Sequence, residues 1–158
     1  MSLDSVSAFF AKEAPDVAII QQAASTATVA EAAATLGVEP GRIAKTLSLR
    51  VKDRVVLVVT RGDARIDNRK TKAALGDRPR MLGAEEVEEI TGHPVGGVCP
   101  FGLARPLPIY CDVSLKTFDI VYPAAGSRTA SVRLTPDRLA ALTGAEWINI
   151  CQAVEEPA

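Results

Sequence analysis

Two runs near the centre of the chain, Thr46–Val51 and Val55–Thr60, are separated only by Lys52-Asp53-Arg54. A linker that short joins antiparallel neighbours, so the runs predict a hairpin. In the first run Leu47, Leu49 and Val51 alternate with Thr46, Ser48 and Arg50, which gives one apolar and one polar face. The second is apolar without a break from Val55 to Val59, the pattern of a strand covered on both faces. The remaining chain must therefore supply material on either side of this hairpin.

Helical patterns surround it. Ser5–Glu13 predicts a short amphipathic helix with Val6, Phe9 and Phe10 on one side, and Pro15 interrupts it before a first short strand at Val17–Ile20. Thr28-Val-Ala-Glu31 is a capping box that starts a helix running to Leu36 and stopped by Gly37. Pro40 opens a further helical turn through Arg42 and Ile43. Asp67–Leu75, capped by Asp67 and ended by Gly76, and Ala84–Thr91 predict two more helices. Strands are expected at Pro108–Asp112, Phe118–Tyr122 and Ala130–Leu134. Thr135-Pro136 then begins a last helix that ends at Gly144, Trp147–Ile150 closes the sheet, and Glu155–Ala158 frays. Strands and helices mix without βαβ alternation, so the expected class is α+β, one domain over residues 1–158 around a mixed sheet flanked by helices.

A chain of 158 residues suits one such domain, able to bury roughly 70% of its unfolded surface. The longest apolar run is Val55–Val59, far short of the roughly 20 residues of a membrane helix. There is no basic stretch followed by an apolar one at the start, so no secretory signal is expected. Cys99, Cys111 and Cys151 are odd in number and lack metal-ligand spacing, which argues against both disulfides and a zinc site and for a reduced, cytoplasmic setting. Charge is uneven. Twelve Lys or Arg and four Asp between Gly41 and Arg80 give that stretch +8, against −9 for the remainder. Such asymmetry suits an anionic partner, nucleic acid or nucleotide.

Three constellations carry potential chemistry. The first is the loop GHPVGGVCPFG, Gly92 to Gly102, with four glycines, two prolines, the only histidine and a cysteine. Adjacent glycines let backbone N–H groups turn toward one point, a concavity for an oxyanion or carbonyl oxygen, while Pro100 fixes the exit of the loop. Cys99 and His93 could on paper form a thiol–imidazole pair, although a base six residues away in a flexible loop has no defined reach. The second is Lys45, at a helix-to-strand junction where a side chain projects over the end of a sheet and can hold a phosphate or polarise a carbonyl. The third is Asp63-Ala-Arg65-Ile-Asp67 with Lys70 one turn later, in which Asp67 caps its helix and Arg65 and Lys70 are placed to touch an anion. Phosphate-binding GxxxxGK[ST], GxGxxG after a strand and GxSxG are absent.

Ile43-Ala-Lys45-Thr46-Leu47, Arg65-Ile-Asp67-xx-Lys70, the Gly92–Gly102 loop and Ala125-Gly-Ser127 occur in this order, and in this the chain resembles the YbaK/EbsC family. That family includes free-standing relatives of the editing domain inserted in bacterial prolyl-tRNA synthetases. The resemblance runs from about Val17 to Trp147, and its most specific elements are GxxxP, matched by Gly96 and Pro100, and the lysine matched by Lys45. It implies a YbaK-like fold with a curved, barrel-like sheet. It implies an in-trans deacylase that hydrolyses the ester of a mischarged tRNA, tRNA-Pro or another, carrying a small wrong amino acid such as Ala, Cys, Ser or Thr. Lys45, Gly96, Gly97 and Pro100 are then the candidate catalytic positions. Thr46, Arg65, Asp67, Lys70, Val98, Cys99 and Ser127 are the candidate substrate-binding positions, although Ser127 equally suits a turn. Relatives use no side-chain general base, metal or cofactor, which removes His93 and Cys99 from catalysis. The implied partners are the 3′ acceptor end of aminoacyl-tRNA and an aminoacyl-tRNA synthetase. Two readings from other classes stand beside this one: a noncatalytic tRNA- or synthetase-binding module, and a small-ester or thioester hydrolase that uses Cys99.

Overall fold

In a computed structural model, which describes residues 2–154, the expected hairpin is the spine of the molecule. β2 (Ile43–Val51) and β3 (Arg54–Arg61) pair antiparallel along their whole length, from Ala44 opposite Arg61 to Val51 opposite Arg54. The connecting loop is two residues, with Lys52 in the left-handed region at φ 58. Val56, Leu57, Val58 and Val59 are wholly buried. Val56 and Val58 face Leu49, Val51, Leu75 and Ile150 on one side of the sheet. Val59 joins Ala44, Phe10, Phe101, Leu115 and Leu139 on the other. The uninterrupted apolar run is thus a strand covered twice.

The sheet is mixed, as expected for the α+β class. Its path runs β4 (Pro79–Met81), β2, β3, β5 (Ile109–Asp112), β8 (Glu146–Ile148), with β5 parallel to β3 and β8 parallel to β5. β6 (Tyr122–Pro123) pairs with β2 in parallel, and β1 (Ile20–Gln21) forms a separate two-stranded ladder with β7 (Ala130–Ser131). Among the described residues five helices flank the strands: α1 (Ser2–Glu13), α2 (Val29–Leu36), α3 (Asn68–Leu75), α4 (Ala84–Thr91) and α5 (Pro136–Thr143). No helix among the described residues is long and apolar enough to cross a membrane.

Helix ends follow local chemistry. Thr28, Asp67 and Thr135 each accept from the backbone N–H three residues on, and Gly37, Gly76, Gly92 and Gly144 end α2 to α5 in the left-handed region. Several elements differ from the sequence expectation. Ala130–Leu134 is a strand only over Ala130–Ser131, and the strand expected at Trp147–Ile150 ends at Ile148. Of Phe118–Tyr122 only Tyr122 lies in a strand, as the first residue of β6. Asp112 caps a 3-10 turn at Val113–Thr117 by accepting from Ser114 N–H, and Phe118 packs beneath the guanidinium groups of Arg42 and Arg61, 5.0 and 4.8 Å from its ring centre. Val17–Ile20 contributes only its last residue to β1. β4 had no signal to read, being three residues that include a proline and an arginine. The expected fraying of Glu155–Ala158 falls outside the described residues.

Because Leu57 is wholly buried in the central strand, truncation there leaves a cavity that cannot collapse. Leu57→Ala should lower unfolding free energy by about 2–5 kcal/mol, read as a lower urea midpoint with unchanged slope.

Candidate active site

The outer edge of β2, away from β3, is shared by two short strands. β6 pairs with Ile43 and Ala44, and β4 pairs with Leu49 to Val51, with Leu82 N–H donating to Ser48 O at 3.2 Å. Lys45, Thr46 and Leu47 therefore lie in a gap between the two. Since Ser48 turns its carbonyl to this edge, the two-residue period of a strand turns the backbone N–H and C=O of Thr46 the same way. A cavity of about 220 Å³ opens against this gap.

Across the cavity stands the glycine-rich loop. Gly96 and Val98 line the cavity, whereas Gly97, Cys99 and Phe101 are buried behind it. The loop is therefore a two-faced strap. Its front is held in shape by Gly97 N–H donating to Pro94 O at 2.9 Å, by Gly126 N–H donating to Gly97 O at 3.1 Å, and by Arg128 Nε donating to Val95 O at 2.9 Å. Gly96 has φ 93, and a Cβ there would lie 2.9 Å from Ala27 Cβ and 3.1 Å from Arg128 Cγ. Only glycine fits both the backbone angle and the space. A Cβ on Gly97 would meet Ser127 N at 2.7 Å, so the 125–127 segment is the wall against which the loop is pressed.

The back of the strap is pinned by His93. This residue is wholly buried. Its Nε2–H donates to Phe101 O at 2.7 Å, and Nδ1 accepts from the Ser2 hydroxyl at the start of α1; the tautomer is assigned from these partners. Phe101 in turn packs on Phe10 and Phe9, with ring centres 4.7 and 5.5 Å away. Cys99 Sγ lies 3.6 Å from His93 Nε2, but that nitrogen carries a proton directed at the carbonyl. Burial pushes the Cys99 thiol up to about 12 and holds the His93 imidazole below its usual value, against the opposing pull of the Phe101 carbonyl. A thiol without a base, closed off from the cavity, makes a poor nucleophile. The histidine that sequence alone left incidental is a buried clasp between loop and helix.

Lys45 also borders the cavity, but its ammonium donates to Ala64 O on the far side of β2. Burial lowers its pKa, partly offset by Cys151 and Asp63, while Arg65 adds to the lowering. Of the remaining candidates, Thr46 and Val98 line the cavity; Pro100, Cys99, Arg65, Asp67, Lys70 and Ser127 do not. Asp67 is the cap of α3, and Lys70 Nζ donates to Cys151 O at 2.9 Å. Ser127 accepts from Thr129 N–H at 3.3 Å in a turn. The lining further includes Thr26, Val29, Met81 and Val95, which sequence reasoning passed over because each becomes a neighbour only through the fold. Among the described residues that line it there is no Asp, Glu, His or Cys.

Residues 23–142 match the family model described as "Aminoacyl-tRNA editing domain". The chain belongs to that family. This editing domain is 47% identical over 96% of its length, and 98% of the other's, to "Uncharacterized protein YwhH" of Bacillus subtilis. It is 31% identical to "Putative Cys-tRNA(Pro)/Cys-tRNA(Cys) deacylase EbsC" of Enterococcus faecalis, over 80% of this chain and 76% of that one. Among solved structures it superposes with a TM-score of 0.88 and 34% identity, over 96% of this chain and 98% of the other, on a "putative trans-editing enzyme for prolyl tRNA synthetase". The YbaK-like fold and family read from the sequence motifs hold.

His93 generates a pH prediction. A buried imidazole with a lowered folded-state pKa leaves the unfolded chain binding more protons as pH falls through about 6.5, so stability is full above that value and declines below it. His93→Asn should be less stable at pH 7.5 by about 1–3 kcal/mol, from the lost imidazole bond to the Phe101 carbonyl, which then keeps only the weak Cys99 thiol as donor, and from lost packing. The decline of its melting temperature between pH 7 and pH 5 should be shallower than that of the parent.

Proposed function

We propose that this editing domain, a single domain over residues 1–158, hydrolyses in trans the ester between a wrongly attached small amino acid and the 3′ end of a tRNA. The observation that supports the reading is the facing pair itself: a glycine strap held from behind, opposite an unpaired strand edge, in a cavity whose described lining holds no Asp, Glu, His or Cys. The ester carbonyl enters between them. Water adds to the carbonyl carbon, and the oxygen becomes an oxyanion received by backbone N–H groups of the Gly96–Pro100 loop. Gly97 N–H is already engaged by Pro94 O, so Gly96 and Val98, the two loop residues on the cavity, are the natural donors. Gly97 and Pro100 set the shape of the loop. The free hydroxyl of the terminal ribose helps position the water. The ester oxygen leaves with a proton, giving free tRNA and free amino acid. Lys45 holds the terminal adenosine phosphate or the carbonyl region once its ammonium turns from Ala64.

Such editing is needed because a synthetase pocket rejects a slightly smaller amino acid by only about 10–200-fold. The relevant tRNA is tRNA-Pro or another carrying such an error, encountered in the cytoplasm where tRNAs are charged, with a synthetase as neighbour. Arg65, Arg69 and Lys70 are exposed around the start of α3, and Arg65 is close enough to act on Lys45. That surface is the docking face for the acceptor stem.

Two experiments test this. In single-turnover hydrolysis of mischarged tRNA, Gly96→Val and Lys45→Ala should each lose on the order of 10²–10³ in rate, whereas Cys99→Ala should keep most activity. A dead Cys99→Ala beside an active Gly96→Val would establish the thiol mechanism instead. Affinity for tRNA should fall with added salt, because phosphate contacts release counterions, and a triple reversal of Arg65, Arg69 and Lys70 to Glu should weaken binding and flatten that salt dependence.

A further inference from the structure

Among the described residues, Thr46 Oγ1 is the buried side-chain nitrogen or oxygen without a hydrogen-bond partner. It belongs to a residue that lines the cavity, on the strand segment left open between β6 and β4. Two other threonines of the lining have their oxygens engaged: Thr26 Oγ1 donates to Arg128 O at 3.1 Å, and Thr28 Oγ1 accepts from Glu31 N–H at 3.1 Å. Ser48, Tyr122 and Ser131 also line it, but their hydroxyls are not among the buried oxygens without a partner. Thr46 alone thus combines a place on the cavity with a sequestered, unengaged hydroxyl. Resting on the deacylase reading above, we infer that Thr46 Oγ1 is a specificity determinant that reads a hydroxyl on the aminoacyl side chain, so that the favoured substrates are esters of β-hydroxy amino acids, seryl or threonyl.

The argument is one of pairing. Thr46 Oγ1 is buried without a partner, and the group that a substrate brings against it decides whether it gains one. A methyl group leaves the threonine hydroxyl buried and unpaired, which costs far more than the net gain from a well-made bond. A hydroxyl supplies the bond, since each partner can donate or accept. A thiol supplies it poorly, being a weak donor and a weak acceptor. The α-ammonium is not the matching partner, because the lining supplies no carboxylate and its one charged residue is Lys45. Placing a cation against a single neutral hydroxyl in a mostly apolar cavity would be strongly unfavourable. A site built on a buried polar group also rejects the analogue lacking its partner far more sharply than an apolar pocket rejects a missing methylene.

The test uses one tRNA charged in turn with serine, alanine and cysteine, and single-turnover hydrolysis by the parent, Thr46→Val and Thr46→Ser, with each variant's fold checked by thermal melting. The parent should cleave the seryl ester roughly 10-fold or more faster than the alanyl or cysteinyl ester. Thr46→Val, which keeps the shape and removes the hydroxyl, should bring the seryl-to-alanyl ratio to about one, while Thr46→Ser should preserve it. A parent that prefers the alanyl or cysteinyl ester overturns the inference, even if Thr46→Val fails to fold. So does a ratio unchanged in Thr46→Val. An active parent with a flat ratio removes the inference and leaves the deacylase standing, whereas a parent inert on all three esters removes both.

Discussion

Every backbone N–H and C=O that leaves water must find a partner, and β2 meets this requirement unevenly. Toward β3 it is paired from end to end; on its other edge β6 takes the first residues and β4 the last. The interruption places polar backbone and the Thr46 hydroxyl beside an apolar cavity with nothing of the sheet to cover them. The strand cannot slide to close the gap. A shift of one residue would exchange the faces on which Ala44 and Leu49 are buried in separate apolar clusters. The doubly covered β3 thus fixes the register of β2, and the register of β2 fixes where the opening lies.

The loop opposite solves a different problem. In the proposed mechanism the loop's backbone donors work only if they do not reorganise when charge develops, yet glycines favour motion. Rigidity is supplied from outside the loop. Phe101 and Cys99 are sunk in the core, His93 ties the carbonyl of Phe101 to the first turn of α1, and the 125–128 segment holds the front through Gly126 and Arg128. Histidine and cysteine in this loop act through burial rather than reactivity, and the same burial that makes the thiol inert keeps the strap in place.

Much of this was legible beforehand, for identifiable reasons. The hairpin, the caps at Thr28, Asp67 and Thr135, and the glycine stops rest on interactions within a few residues, which sequence records directly. The strand expected at Phe118–Tyr122 loses its start because two arginines distant in sequence claim Phe118 as a stacking surface. At the site, Lys45, Gly96 and the family were readable from motif order. What sequence could not give was sidedness: that Gly96 and Val98 face the cavity while Cys99 turns away, that the Lys45 ammonium sits on Ala64, and that Arg128 and Met81 come to the same place. Those follow from packing between segments tens of residues apart.

The central claim is that the aminoacyl group lies between the open edge of β2 and the front of the glycine strap. Backbone amide NMR during titration with a 3′-aminoacyl-adenosine analogue, its ester replaced by a non-hydrolysable amide, tests this without any variant. The account predicts that the largest shifts fall on the amides of Thr46, Gly96 and Val98, with little change at Phe101 and Cys111 in the core. Shifts centred instead on the opposite end of the molecule, around Lys116, Asp119 and Asp137, with Thr46 and Gly96 unmoved, would contradict it.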